Sequence, residues 1–159
     1  QCIREFRRSV RSLLSWLRVI WQDRQWDQYY IYRILRHKLN LQADYIQKHG
    51  MSVESESVAA KMRGCVEMIE DVMNDKAVME QHDRHEAKWG EIVINRVEDR
   101  EDNEYGIVEF DREKAITEED KDKERKEFHI RMRLGERQQN RLRKKLFQTI
   151  AENIEGWWD

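Results

Sequence analysis

The chain has no proline, only two cysteines, and six glycines that stand far apart from one another. The isolated glycines exclude a glycine-rich phosphate loop, and Cys2 and Cys65 match no spaced metal or redox pattern. No apolar run approaches the roughly 18 residues that a membrane-spanning helix needs, and no signal peptide is recognisable. These absences favour a protein of a reducing compartment with no membrane partner, no metal and no cofactor. Gln1 as the first residue leaves open whether other residues precede it.

Charged residues are abundant and unevenly distributed. Asp, Glu, Lys and Arg make up 39% of the 159 residues, as do hydrophobic residues. Residues 1–40 carry nine basic and three acidic residues, residues 41–127 carry 14 and 25, and residues 128–159 carry seven and four. This composition is typical of one domain built from amphipathic helices with solvated outer faces.

The first segment of the chain has the apolar spacing of an amphipathic helix. We name its regularly spaced apolar residues the N-terminal seam: Ile3, Phe6, Val10, Leu13, Leu17 and Ile20. The seam predicts a helix to about Trp21 with arginines off the seam. Leu14, Trp16 and Val19 add more apolar surface than one monomer can bury, so we expect this helix to form the interface of a homo-oligomer.

Two further helices are predicted in the first half of the chain. The second carries a mixed apolar and aromatic face and ends at Gly50. The third is capped by Ser52 or Ser55, and Gly64 inside it indicates a close contact with another helix, because glycine costs helix stability. The residues expected on the buried face of this third helix are Val58, Met62, Cys65, Val66, Ile69, Met73 and, by extension, Met79.

The pattern changes after Gly90. Two alternating, β-branched segments separated by a polar run predict a hairpin over about 91–110. Thr117, followed by three acids, is a helix-start signal for a long helix over about 117–155, with a soft point at Gly135. Its first third is almost wholly charged and is expected to project from the body or to be flexible. The predicted fold is therefore mainly α: a four-helix bundle-like single domain over 1–159 with a small inserted β-hairpin.

Few residues have the spacing of a catalytic centre. His82, His85 and Glu86 share one helical face, as metal ligands do, but they lack the His-Glu-x-x-His arrangement. No Gly-x-Ser-x-Gly nucleophile is present, and Cys65 lies on an apolar face where it should behave as a small buried hydrophobe. An enzyme is not expected, and a metal-dependent hydrolase is the least favoured of the alternatives.

Aromatic residues concentrate near the two ends of the chain. Trp16, Trp21 and Trp26 precede three tyrosines, and Trp157 and Trp158 stand close to the last residue. Rings of this size either pack in the hydrophobic core or stack on a flat ligand. In the first case Trp21, Trp26 and Trp157 pack on one another and the chain ends meet; in the second they form a site.

Basic residues accompany these rings and suggest the second possibility. Arginines hold phosphates through paired hydrogen bonds, while rings stack on bases for roughly 1 to 3 kcal/mol each. Of the candidates, Arg33, Arg36 or Lys38 would hold phosphates, and Trp26 or Tyr30 would stack on a base. The complete set of candidate ligand-binding residues is Trp26, Tyr30, Arg33, Arg36, Lys38 and Arg141.

The segments 26–30, 36–39, 85–90 and 153–159 resemble a group of small, largely helical proteins encoded by tailed bacteriophages. The resemblance spans most of the chain at low density. Its most specific marks are the Lys-Trp-Gly run that ends at Gly90 and the Trp-Trp-Asp run that ends at Asp159. The group has no established activity, so the resemblance implies a viral origin and a role inside the bacterium, and it assigns no site residue.

Together these features predict a phage accessory protein for counter-defence in the cytoplasm of the infected bacterial host. It would bind and sequester a nucleotide-type immune signal, as a homo-oligomer. The alternative is a non-enzymatic protein-interaction or nucleoprotein-associated module whose acidic middle contacts a basic partner, with nucleic acid as a less favoured partner. The two hypotheses differ in whether rings and basic residues converge in a pocket.

Overall fold

A computed structural model describes residues 2–21, 29–50, 54–97 and 107–157. Within these ranges the chain forms five α-helices and a two-stranded antiparallel sheet, which confirms the predicted mainly α, bundle-like fold with a hairpin. The elements are α1 (Cys2–Trp21), α2 (Tyr29–His49), α3 (Ser55–Met73), α4 (Lys76–Trp89), β1 (Ile92–Val97), β2 (Ile107–Arg112), α5 (Glu118–Asn153) and a 3₁₀ turn (Glu155–Trp157).

The chain divides into two compact units. Unit 1 comprises Gln1–Asn74 with Lys144–Asp159, and unit 2 comprises Asp75–Arg143. The long helix α5 contributes to both units. Each unit has buried residues of its own, and the expectation of a single domain stays a prediction.

The predicted third helix is two helices in the structure. α3 ends at Met73, and α4 begins at Lys76 after Asp75, whose backbone is left-handed with φ of 45°. Aspartate tolerates this conformation better than most residues, because its short polar side chain can bond locally. The break explains why five helices form where four were predicted.

Helices α2 and α3 supply much of the core of unit 1. The expected inward residues Met62, Cys65, Val66 and Ile69 are buried, together with residues from α2, α5 and the 3₁₀ turn. Ser55 is the first residue of α3 and not its cap, since Glu54 takes the cap position without a side-chain hydrogen bond. The alternative cap, Ser52, lies outside the described residues.

The close helix contact expected at Gly64 occurs at Gly135 instead. A Cβ atom added at Gly64 would meet no atom within 4 Å. A Cβ atom added at Gly135 would lie 2.9 Å from the Val78 Cα and 3.2 Å from the Ala77 carbonyl oxygen. Gly135 therefore lets α4 approach α5 within unit 2, and the prediction for Gly64 was wrong.

Alanine substitutions should affect these two glycines in opposite ways. Gly64→Ala should raise the free energy of unfolding by up to about 1 kcal/mol, because it gains helix propensity in open space. Gly135→Ala, the matched change, should lower it by about 1–3 kcal/mol through overpacking against α4. Urea unfolding followed by circular dichroism measures both, and stabilisation by Gly135→Ala would contradict the close contact.

The charged start of α5 packs against its own unit. The Thr117 hydroxyl accepts from the Asp120 N–H at 3.1 Å, as the predicted helix start requires. Lys121 then pairs with Asp111 of β2 at 3.0 Å, and the Glu124 side chain bonds His85 of α4 at 2.6 Å. The expectation that this segment projects or is flexible was therefore wrong, because its charges meet partners on β2 and α4.

The hairpin lies close to its predicted position. β1 and β2 pair in antiparallel register, with Ile94 opposite Phe110 and Ile92 opposite Arg112. The second strand extends to Arg112, two residues beyond the predicted end. Tyr105 and the polar run between the strands lie outside the described residues.

Helix α1 has the predicted bounds, but its apolar side faces solvent. All six residues of the N-terminal seam are exposed, and Trp21 is 85% exposed. Trp21 therefore does not pack on Trp157, contrary to one of the two expectations for the rings, and Trp26 lies outside the described residues. No helix in the described ranges has both the length and the apolar content to cross a membrane.

Candidate functional site

A cavity of about 380 Å³ opens in unit 1 between α1, α2 and the 3₁₀ turn. The helix α2 supplies most of its wall, α1 contributes one arginine, and the 3₁₀ turn contributes one tryptophan. The lining residues are Arg8, Lys38, Leu41, Gln42, Tyr45, Ile46 and Trp157. This volume is within the usual range for small-molecule sites, which is roughly 300–1,000 Å³.

The wall from α2 follows from helical geometry. Lys38, Leu41, Gln42 and Tyr45 are three, four and seven positions apart, so they share one face of the helix. Leu41 and Ile46 give this face an apolar base, while Lys38, Gln42 and Tyr45 add a cation, an amide and a phenol. One helix thus presents both apolar and polar groups to the same opening.

The polar groups of the cavity suit an anion with a flat ring. Arg8 comes from α1 and Lys38 from α2, so two positive charges from different helices line one opening. No carboxylate, imidazole or thiol is present among the described lining residues. The Tyr45 ring lies 4.9 Å from the His49 ring, between centroids, and Tyr45 still keeps over half of its surface exposed beside the cations.

Trp157 joins the cavity to the core. Its side chain is 5% exposed and belongs to the same buried cluster as Leu39, Ala43 and Ile69. Its Nε1 atom is buried and has no hydrogen-bond partner among the described residues. A buried indole N–H normally finds an acceptor, so this donor is an unpaired polar atom among the described residues of the core.

Of the sequence-predicted site residues that the structure describes, Lys38 alone lines the cavity. Tyr30, Arg33 and Arg36 also lie on α2 but do not line it. Arg36 is on the far side of α2 from Lys38, about 160° around the helix, and pairs there with Glu70 of α3 at 3.4 Å. Their binding roles stay predictions.

The two other predicted residues are placed differently. Trp26 lies outside the described residues. Arg141 is exposed on the part of α5 that belongs to unit 2, whereas the cavity belongs to unit 1. The basic residues of the last helix were included because of composition, and composition does not specify which unit a residue joins.

Sequence reasoning missed Arg8, Gln42, Tyr45 and Trp157 as site residues. The spacing of Gln42 and Tyr45 from Lys38 was a usable signal, because the three share a helical face. Arg8 resembled the other arginines of α1, and Trp157 was expected in the core, where it indeed lies. Only the tertiary arrangement shows that these two residues border the same opening.

The histidines considered as metal ligands contact carboxylates within unit 2. The His85 side chain is fully buried, and its Nε2 donates to the Glu124 carboxylate at 2.6 Å. His82 lies 3.8 Å from Glu86 on the same helix. Among the described residues, no group of three or more His, Cys, Asp or Glu side chains is arranged to hold a metal ion.

A second ionic cluster, partly exposed, links the same two helices through Glu127. Lys88, Arg131 and the Trp89 indole donate hydrogen bonds to Glu127. The hydrogen bond from Lys88 is the largest cause that lowers the pKa of Glu127 to about 2. Glu127 is therefore ionised at neutral pH and ties α4 to α5.

Cys65 has the character expected of a structural thiol. It is fully buried in the core of unit 1, and burial raises the pKa of its thiol. A raised pKa lowers the thiolate fraction, which is the reactive form. The predicted burial of Cys65 on an apolar helix face is confirmed.

Comparisons with known proteins assign no family to the chain: no family model matches it, and no curated protein or solved structure shows significant similarity.

Proposed function

We propose that the chain binds a small planar anion of the nucleotide class in this cavity, without catalysing a reaction on it. The observation that carries the proposal is the convergence of two cations, Arg8 and Lys38, with two rings, Tyr45 and Trp157, around one opening. Phosphate groups attract the cations, and a base can stack on the accessible ring of Tyr45.

Two further groups at the cavity favour a nucleotide over a simple inorganic anion. Gln42 carries both a donor and an acceptor, as recognition of a base edge requires. The Trp157 side chain adds apolar surface to the same wall, which a base can contact. An inorganic phosphate would use the cations and leave the rings without a role.

The biological part of the proposal is sequestration of a nucleotide-type immune signal by a phage accessory protein. The resemblance to small tailed-phage proteins supports the viral origin. The lining chemistry supports binding without turnover, since the described lining residues offer no carboxylate or imidazole as a general base. A protein that only retains its ligand limits the signal in proportion to its own abundance.

Lys38→Ala should weaken binding of such a ligand by about 1.5–3 kcal/mol, the usual contribution of a charge-assisted contact. Higher salt should weaken binding by the wild-type chain as well. The measurement is calorimetric titration of ligand-free protein with a panel of cyclic di- and oligonucleotides and adenine-dinucleotide derivatives. Lys38 is exposed, so the variant should stay folded.

Arg36→Ala is the matched control on the same helix. Arg36 points towards Glu70 on the far side of α2, so its loss should leave affinity unchanged within error. Equal losses from both substitutions would place the site elsewhere on α2. If no member of the panel releases heat or shifts the melting temperature, the proposal fails and the protein-interaction hypothesis replaces it.

A further inference from the structure

Helix α1 presents an apolar side that is exposed along its whole length. Leu13, in the middle of the N-terminal seam, is 63% exposed, and Phe6 is 68% exposed. Leu14 and Trp21 flank the seam and are exposed as well. This continuous apolar side exposes more apolar area than the single, scattered apolar residues of an ordinary protein surface. Such an area indicates a contact site.

The other side of α1 attaches the helix to α2. The Trp16 ring lies edge-on to the His37 ring, with 4.7 Å between their centroids. Arg8 lines the cavity together with residues of α2. In a helix with 100° between residues, Arg8 is nearly opposite the middle of the seam. The described residues of unit 1 therefore contact α1 on the side away from the seam, and the seam can meet a flat surface.

Positive charge accompanies the seam. The 20 residues of α1 contain five arginines and a single acid, Glu5. Arg7 and Arg18 border the seam, and Arg4 and Arg11 follow around the helix. An apolar side next to an arginine-rich side, with Trp and Phe among the apolar residues, is typical of a helix that lies in the interface of an anionic membrane.

We propose that α1 binds an anionic lipid surface, with the seam in the boundary between headgroups and acyl chains and the bordering Arg7 and Arg18 at lipid phosphates. The sequence predicted no membrane partner because no segment is long and apolar enough to cross a bilayer. A helix that lies in the plane of the bilayer surface needs only to be amphipathic, whereas a spanning helix must be apolar on all sides.

Charge favours lipid over a second copy of the chain as the occupant. A coiled-coil pair sets its register through opposite charges beside the seam. In α1 the positions beside the seam are Arg7, Leu14 and Trp21 on one side. On the other side they are Ser9 and Trp16. None of these residues is acidic, so two copies of the helix cannot form opposite-charge pairs there. An anionic surface needs no register, and it attracts the arginines that border the seam, Arg7 and Arg18.

The test is flotation of the full chain with vesicles. Vesicles of phosphatidylcholine in which part of the lipid is replaced by phosphatidylglycerol should bind the chain at least roughly tenfold more strongly than phosphatidylcholine alone, because Arg7 and Arg18 face the surface. Leu13→Glu should reduce this binding at least tenfold. The double variant Arg7→Gln/Arg18→Gln removes the two arginines that border the seam, so it should reduce the preference for phosphatidylglycerol while Arg8 and the cavity stay intact.

Ile31→Glu is the matched control, because Ile31 of α2 is 64% exposed and lies off α1. It should bind vesicles as the wild type does. The absence of flotation with any vesicle, or equal flotation of Leu13→Glu, would overturn the proposal. Sedimentation equilibrium without lipid is the second measurement: a dimer that Leu13→Glu dissociates, from a chain that does not float, would assign the seam to a second copy.

Discussion

Trp157→Ala is expected to lower the free energy of unfolding by about 3–5 kcal/mol, the range for removing a buried aromatic side chain. Trp157 is 5% exposed and packs in the cluster that includes Leu39, Ala43, Leu146 and Ile150. Its removal would leave a cavity at the point where α2, α5 and the 3₁₀ turn meet. Chemical unfolding followed by circular dichroism measures the loss, and truncation after Ile154 should cost at least as much.

Trp21→Ala is the control with the same change in side chain. Trp21 is 85% exposed, so its substitution should change the free energy of unfolding by no more than about 0.5 kcal/mol. Trp157→Phe should give an intermediate loss, because it keeps an aromatic ring and removes an N–H that has no acceptor among the described residues. Equal effects of the two alanine substitutions would contradict the burial of Trp157.

The positions of most helices could be predicted from the sequence, because apolar spacing records which side of a helix is apolar, but the break between α3 and α4 at Asp75 could not. This signal placed the end of α1 at Trp21 and the buried face of α3 at Met62, Cys65 and Ile69. Thr117 marked the start of α5 through its side-chain oxygen. Each of these signals is local and acts within one or two helical turns.

Contacts between distant segments could not be predicted in the same way. The seam of α1 has the spacing of a core face, yet spacing does not specify whether protein, lipid or solvent covers it. Gly64 and Gly135 are both glycines within helices, and only the approach of α4 distinguishes them. The charged start of α5 appeared solvated because its partners His85 and Asp111 are far away in sequence.

The candidate site also combines residues that a local pattern could indicate with residues that only long-range contacts bring together. Lys38 was identified as a basic residue near aromatic rings, which is a property of composition. Arg36 was selected by the same criterion, and its partner Glu70 on α3 makes it part of a surface ion pair. Arg8 and Trp157 lie near opposite ends of the sequence, and no local pattern connects them.

Glu124→Ala should destabilise unit 2 by about 3–5 kcal/mol, as removing one partner of a buried ion pair does. The Glu124 carboxylate accepts from His85 Nε2 at 2.6 Å and lies 3.6 Å from Arg112 Nε. The Arg112 side chain is only 6% exposed. Without Glu124, its guanidinium would keep the Gly90 carbonyl at 3.1 Å and a longer contact with Glu86, which is too little to offset the burial of its charge.

Glu119→Ala on the same helix is the control. Glu119 pairs with Lys123 at 2.8 Å, but both side chains are exposed, so the loss should be no more than about 1 kcal/mol. Glu124→Gln should cost less than Glu124→Ala, since an amide oxygen still accepts from His85 while the attraction to Arg112 is reduced. Thermal unfolding of the three variants distinguishes these cases. If Glu124→Ala and Glu119→Ala lower the melting temperature equally, the Glu124 carboxylate does not hold β2, α4 and α5 together, and unit 2 depends on its apolar contacts alone.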